Sequence, residues 1–259
     1  MALDTATEKL LKRDRLIMLG GIASITALAW VYLRALAAGI NDLGEGMSAM
    51  ARLRPWTAAD AWLMFVMWAV MMVAMMTPSA TPVILLYARV YRGRGNDRQS
   101  AAPTGAFFAG YIVIWIAFSL ILTALQWGLE QVGLLSPAMT NTSPVFGGVT
   151  LIAAGLYQWL PVKNVCLGHC RSPVQFLSRH WQAGALGAFR MGLRHGVYCV
   201  GCCWALMILL FVGGVLNLLW VAAIAVFVLV EKSAPFGRVV GQVGSILLIA
   251  GGAVVLSGG

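Results

Sequence analysis

A chain of 259 residues in which 60% are hydrophobic and 10% charged carries too little charge for a soluble domain, where about a quarter of residues are charged. It therefore reads as an integral membrane protein with the lipid bilayer as its surroundings. The net charge of +9 is not accompanied by a nucleic-acid motif or a Gly-rich phosphate loop, and basic residues flanking apolar spans serve membrane orientation, so no nucleic-acid partner is expected.

Residues 1–15, ending Lys12-Arg13-Asp14-Arg15, form a polar cytoplasmic tail. The first span covers 16–33 and belongs to an N-terminal anchor over 16–38. Ala35-Leu36-Ala37 resembles a signal cleavage site, but the apolar stretch exceeds the ~7–15 residues of a signal core, so the anchor is uncleaved. A polar connection over 39–60 carries Asp42, Glu45, Arg52, Arg54 and Pro55. The second span, 62–87, is rich in methionine (Met64, Met67, Met71, Met72, Met75, Met76) and contains Pro78 and Pro82, which remove backbone donors and should break or kink the helix.

Arg89, Arg92, Arg94 and Arg98 make the next loop basic, and 107–129 is the third span. The loop 130–144 has no Lys or Arg. A short fourth span over 145–160 stops before Pro161. The longest polar connection, a cytoplasmic loop over 162–194, follows. Spans five, six and seven cover 195–215, 216–230 and 239–256, with Glu231 and Lys232 as a local boundary pair. The expectation is an all-α polytopic membrane protein of about seven transmembrane helices (six to seven), with residues 60–256 as its helical membrane domain. With the N-terminus cytoplasmic, only Arg34, Arg52 and Arg54 lie outside, leaving 15 of the 18 basic residues inside, as the positive-inside rule requires.

Chemistry concentrates in the fifth span. All five cysteines (Cys166, Cys170, Cys199, Cys202, Cys203) and all three histidines (His169, His180, His195) fall between 166 and 203. On a helix turning about 100° per residue, His195, Cys199 and Cys202 lie within roughly 60° of one another, with Cys203 beside them. Cysteine also packs well between membrane helices, and a lone one is ordinarily filler. Clustering favours a site instead, because polar groups on one stripe at one depth in lipid are costly.

Thiolates and thioethers are soft donors that suit copper(I), whereas zinc is the alternative where His joins a fuller ligand set. The candidate ligands are His195, Cys199, Cys202 and Cys203, together with Cys166, His169 and Cys170 from the preceding loop. Further donors are available at Met71, Met75, Met76 and Met207, although a methionine stripe at helical spacing is more often core packing. A reducing cytoplasm disfavours a structural disulfide between Cys166 and Cys170. Lys163, Arg171 and Arg194 are expected to meet lipid headgroups or, as the alternative, to offset thiolate charge and lower thiol pKa.

Three linked motifs carry a family resemblance: Met71-Met72-x-x-Met75-Met76-x-Pro78-Ser79-x-x-Pro82; Tyr157-Gln158-x-x-Pro161-x-Lys163-x-x-Cys166-Leu167-x-x-Cys170-Arg171-Ser172-Pro173; and Gly192-x-x-His195-Gly196-x-Tyr198-Cys199-x-Gly201-Cys202-Cys203-Trp204-x-Leu206-Met207. Over residues 60–256 the chain resembles the bacterial family of predicted metal-binding integral membrane proteins catalogued as domain of unknown function 2182. The resemblance implies a multi-pass protein of the bacterial inner membrane and supplies no activity.

The leading expectation is a membrane protein that handles copper(I) by binding, transfer or transport, with a protein partner such as a metal chaperone or a larger complex. It is not expected to be an enzyme. The alternatives are a membrane thiol-disulfide oxidoreductase using Cys199 and Cys202, and an accessory subunit whose cysteines only pack.

Overall fold

The computed structural model describes residues 2–42, 56–93, 101–136 and 139–258. Glu45, Arg52, Arg54 and Pro55 of the first connection, and Arg94 and Arg98 of the basic loop, lie outside the described residues. Among the described residues the chain is helical, with an isolated bridge between Leu135 and Asn141 as its only β pairing. The helices are α1 (Ala2–Asp42), α2 (Ala58–Gly93), α3 (Ala101–Gln131), α4 (Pro144–Tyr157), α5 (Pro161–Arg171), α6 (Pro173–His180), α7 (Gly184–Ile208), α8 (Leu210–Gly213), α9 (Leu218–Ser233) and α10 (Gly237–Gly258).

Local sequence sets most of these boundaries. Thr57 and Asp60 form a reciprocal cap at the start of α2, with the Thr57 amide donating to Asp60 Oδ2 at 2.8 Å and the Asp60 amide to Thr57 Oγ1 at 3.3 Å. Ser143 caps α4 through the Phe146 amide, and Asn217 caps α9 through the Trp220 amide. Proline opens α4, α5 and α6 at their first turns, where its missing N–H is not needed.

Five stretches are long and apolar enough to cross a bilayer: Leu16–Gly39, Ala58–Gly93, Ala101–Gln131, Gly184–Gly213 and Gly237–Gly258. The pair α4 and α5, bent by 65° at their junction, makes a sixth as a broken span or re-entrant loop. The protein is thus an all-α polytopic membrane protein. The expected span over 216–230 is α9, whose 16 residues reach only about 24 Å at 1.5 Å per residue, short of a hydrocarbon core of about 30 Å.

Two expectations need correction. Pro78 and Pro82 do not break the second span, because α2 runs through both. Side-chain donors surround the proline segment: the Ser79 hydroxyl donates to the Met76 carbonyl at 2.9 Å, Thr81 to the Thr77 carbonyl at 3.2 Å, and Tyr111 from α3 to the Met76 carbonyl at 3.0 Å. The carbonyls that the two prolines leave without a helical donor are those of Ala74 and Pro78, and these donors bond the carbonyls between them, tying the segment to α3. The stretch 162–194 is likewise not an open loop. It folds as α5, α6 and the first three turns of α7, which bring the cysteines of α5 back against the bundle.

Helices α3 and α7 pack most closely. A Cβ on Gly110 would overlap the Phe189 carbonyl, and one on Gly192 the Phe107 carbonyl, so the two backbones touch where only hydrogen occupies the space. Gly192→Ala is expected to overpack this crossing at a cost of about 1–3 kcal/mol. The readout is a lower unfolding temperature of detergent-solubilised protein, and an unchanged temperature would refute the close contact. Gly148 and Gly252 play the same part between α4 and α10, where the Ser245 hydroxyl also donates to the Gly155 carbonyl at 2.8 Å.

Candidate metal centre

Helix α7 turns His195, Cys199, Cys202 and Cys203 inward, and all four are buried, with relative exposures of 2%, 2%, 1% and 0%. This excludes an outward, lipid-facing stripe. Helix α5 supplies a fourth thiol: Cys170 Sγ lies 3.9 Å from Cys202 Sγ. Helix α2 supplies a thioether, Met76 Sδ, 3.9 Å from Cys203 Sγ. The second and fifth spans of the sequence reading are therefore neighbours at the depth of the cysteines.

The sulfurs differ in their partners. The Cys202 and Cys203 thiols both donate back to the Cys199 carbonyl, at 3.1 and 2.9 Å. Cys199 Sγ instead accepts from Lys232 Nζ of α9 at 2.9 Å and sits 3.2 Å from the Tyr111 hydroxyl of α3. Lys232 Nζ is also 3.8 Å from Cys203 Sγ and 3.4 Å from the Ser79 hydroxyl of α2. A buried ammonium among thiols supplies the positive charge that a cluster of thiolates lacks.

His195 lies one turn before Cys199, in a wall of aromatic rings. Its ring is 5.1 Å from Phe176, 5.8 Å from Tyr111 and 6.1 Å from Phe107. Its Nδ1 is buried and has no hydrogen-bond partner, an uncommon state for a buried polar atom. Phe176 comes from α6, so that short helix closes the imidazole side of the cluster.

The loop motif divides. Cys166 and Cys170 are one turn apart on α5 and face α7, where Cys166 Sγ abuts Gly201. Its helix turns His169 about 100° from Cys170. The His169 ring accordingly stacks on Tyr198, with centroids 4.0 Å apart and planes at 8°, and its Nδ1 lies 2.9 Å from the Val165 carbonyl. His180 is 6.1 Å from His169 and bonds the Phe176 carbonyl. Met71, Met75 and Met207 are buried in the core.

Lys232 and Tyr111 escape the sequence reading, because each reaches the cysteines from a helix distant in the chain. The one signal was a lysine at the end of an apolar helix. Glu231 and Lys232 are not a local pair either: Glu231 forms a buried ion pair with Lys163 of α5. Lys163 is 1% exposed and its ammonium is taken by Glu231, so it does not reach out to the bilayer surface. Nor does Arg171, whose guanidinium donates to the carbonyls of Glu231, Ala234 and Pro235 at 2.7, 2.8 and 3.1 Å, pinning the turn after α9.

Among the described residues no three His, Cys, Asp or Glu side chains stand close enough to hold one ion as they are. The closest donor pairs are Cys170 with Cys202 and Cys203 with Met76, each at 3.9 Å. Two sulfurs bound to one ion at about 2.3 Å lie roughly 3.8 Å apart at a tetrahedral angle and about 4.6 Å apart in line. Both spacings fall in that range. A family model described as PpoB2, copper chaperone, matches residues 65–255. No curated protein and no solved structure matches the chain.

Proposed function

The chain belongs to the PpoB2 copper chaperone family, and on that premise we propose that it holds copper(I) within the membrane at the sulfur cluster of α7 and passes it to a protein partner. Cys199, Cys202, Cys203 and Cys170 are the proposed ligands, with Met76 and His195 as auxiliary donors. Cys166 and His169 then stand outside the first set of donors. Copper(I) is the soft cation that thiolate and thioether donors select, and it accepts as few as two of them. The membrane is proposed to be the bacterial inner membrane, with the N-terminus in the cytoplasm.

The observation that carries this reading is that sulfurs from three helices meet in two close pairs, Cys170 with Cys202 and Cys203 with Met76, each at 3.9 Å, beside Cys199 and its Lys232 partner. Charge balance supports it. Two thiolates and one cuprous ion sum to −1, and the Lys232 ammonium brings the buried assembly to zero, which a low-dielectric interior favours. Protein purified under reducing conditions is therefore expected to retain copper, and Lys232→Met to weaken binding about tenfold or more, as loss of an outer partner of a metal site does. Elemental analysis and competition with a chromophoric copper(I) chelator give both readouts. Wild-type protein without copper, or holding zinc alone, would overturn the proposal.

A further inference from the structure

A second buried polar group lies outside the sulfur cluster. The Lys163–Glu231 ion pair forms the floor of a cavity of about 420 Å³ between α4, α5, α9 and α10. Lys163 satisfies Glu231 Oε1, while Glu231 Oε2 is buried with no partner. Gln158, also lining the cavity and 7% exposed, has neither its oxygen nor its nitrogen paired. Gly241 makes the floor possible, since a Cβ there would lie 2.5 Å from Glu231 Oε1. Arg238, Asn164, Gln242 and Trp159 line the same cavity and are exposed, so they form its mouth.

Unpaired polar atoms this deep call for a ligand that answers them. Two acceptors, Glu231 Oε2 and Gln158 Oε1, lack hydrogen-bond donors, of which a primary ammonium offers three, and Gln158 Nε2 lacks an acceptor. The cationic Arg238 at the mouth requires an anion. We infer that this cavity holds the headgroup of an aminophospholipid, its primary ammonium inward on Glu231 and Gln158 and its phosphate outward on Arg238. An exposed tryptophan beside a basic residue suits the interfacial depth at which such a headgroup lies. The apolar Ile246 and Leu167 of the lining leave a surface for the start of the acyl chains. Phosphatidylcholine has the same charges but no N–H to donate, and phosphatidylglycerol has no cation, so the chemistry discriminates among the three.

The test is to equilibrate the purified full-length protein with an equimolar mixture of phosphatidylethanolamine, phosphatidylcholine and phosphatidylglycerol in detergent. Native mass spectrometry then reads the retained lipid. Phosphatidylethanolamine is expected to exceed each of the others about tenfold, the value of one charge-assisted hydrogen bond. Gln158→Leu should reduce that preference and Arg238→Ala should lower retention of all three lipids, and both leave the Lys163–Glu231 pair intact, so the fold is kept. Equal retention of the three lipids, a preference unchanged in Gln158→Leu, or a retention unchanged in Arg238→Ala overturns the inference. Displacement of the lipid by soluble phosphoethanolamine at equal concentration would overturn the lipid as the occupant.

Discussion

Cys199→Ser with Cys202→Ser is expected to lower copper(I) affinity by at least about 100-fold in chelator competition, the upper end of what losing even an outer partner costs a metal site. The double change removes both the sulfur that Lys232 and Tyr111 surround and the one 3.9 Å from Cys170. Serine keeps the volume, so the helix keeps its packing, and its hard oxygen is a poor ligand for a soft cation. Cys166→Ser is the matched control: its sulfur packs on Gly201, and a far smaller change is expected. Affinities of the double variant and the wild type that agree would end the copper reading, whatever the control does.

Lys163→Met is expected to cause the largest loss of stability, about 3–5 kcal/mol, because it strands the Glu231 carboxylate in the interior without a counter-ion. Pairing it with Glu231→Gln removes the charge that was stranded, so the double variant should recover most of the loss. The reason is that taking two charges from water costs nearly what their attraction returns, whereas one charge alone has no compensation. Thermal unfolding in detergent reads both variants. A mild single variant, or a double variant as weak as the single, would show that the pair does not anchor α5 to α9.

The helical class was legible because an apolar, charge-poor chain can satisfy its backbone in lipid only by helices or closed barrels, and its long apolar runs suit helices. The inward stripe of Cys199, Cys202 and Cys203 was legible for a local reason: residues three and four apart share a helix face. What was not legible depends on distant chain. Nothing near Pro78 reveals that the Tyr111 hydroxyl, 33 residues on, donates to the Met76 carbonyl beside it. Nothing near Lys232 tells whether it pairs with Glu231 beside it or with Cys199 in another helix. Sequence neighbours suggested the first, but adjacent helix positions point about 100° apart, and tertiary packing sent each to a different partner. The polarity of the 162–194 stretch suggests a loop, yet that polarity belongs to short helices whose buried faces carry Lys163, Leu167 and Phe176.

The brevity of α9 has a consequence for the surrounding lipid. A helix about 6 Å shorter than the hydrocarbon layer obliges the adjacent leaflet to pinch inward, or admits headgroups and water to the depth of its end. Glu231 and Lys232 are the last charged residues of that helix. Local thinning there would bring the aqueous boundary toward the thiols without any helix moving.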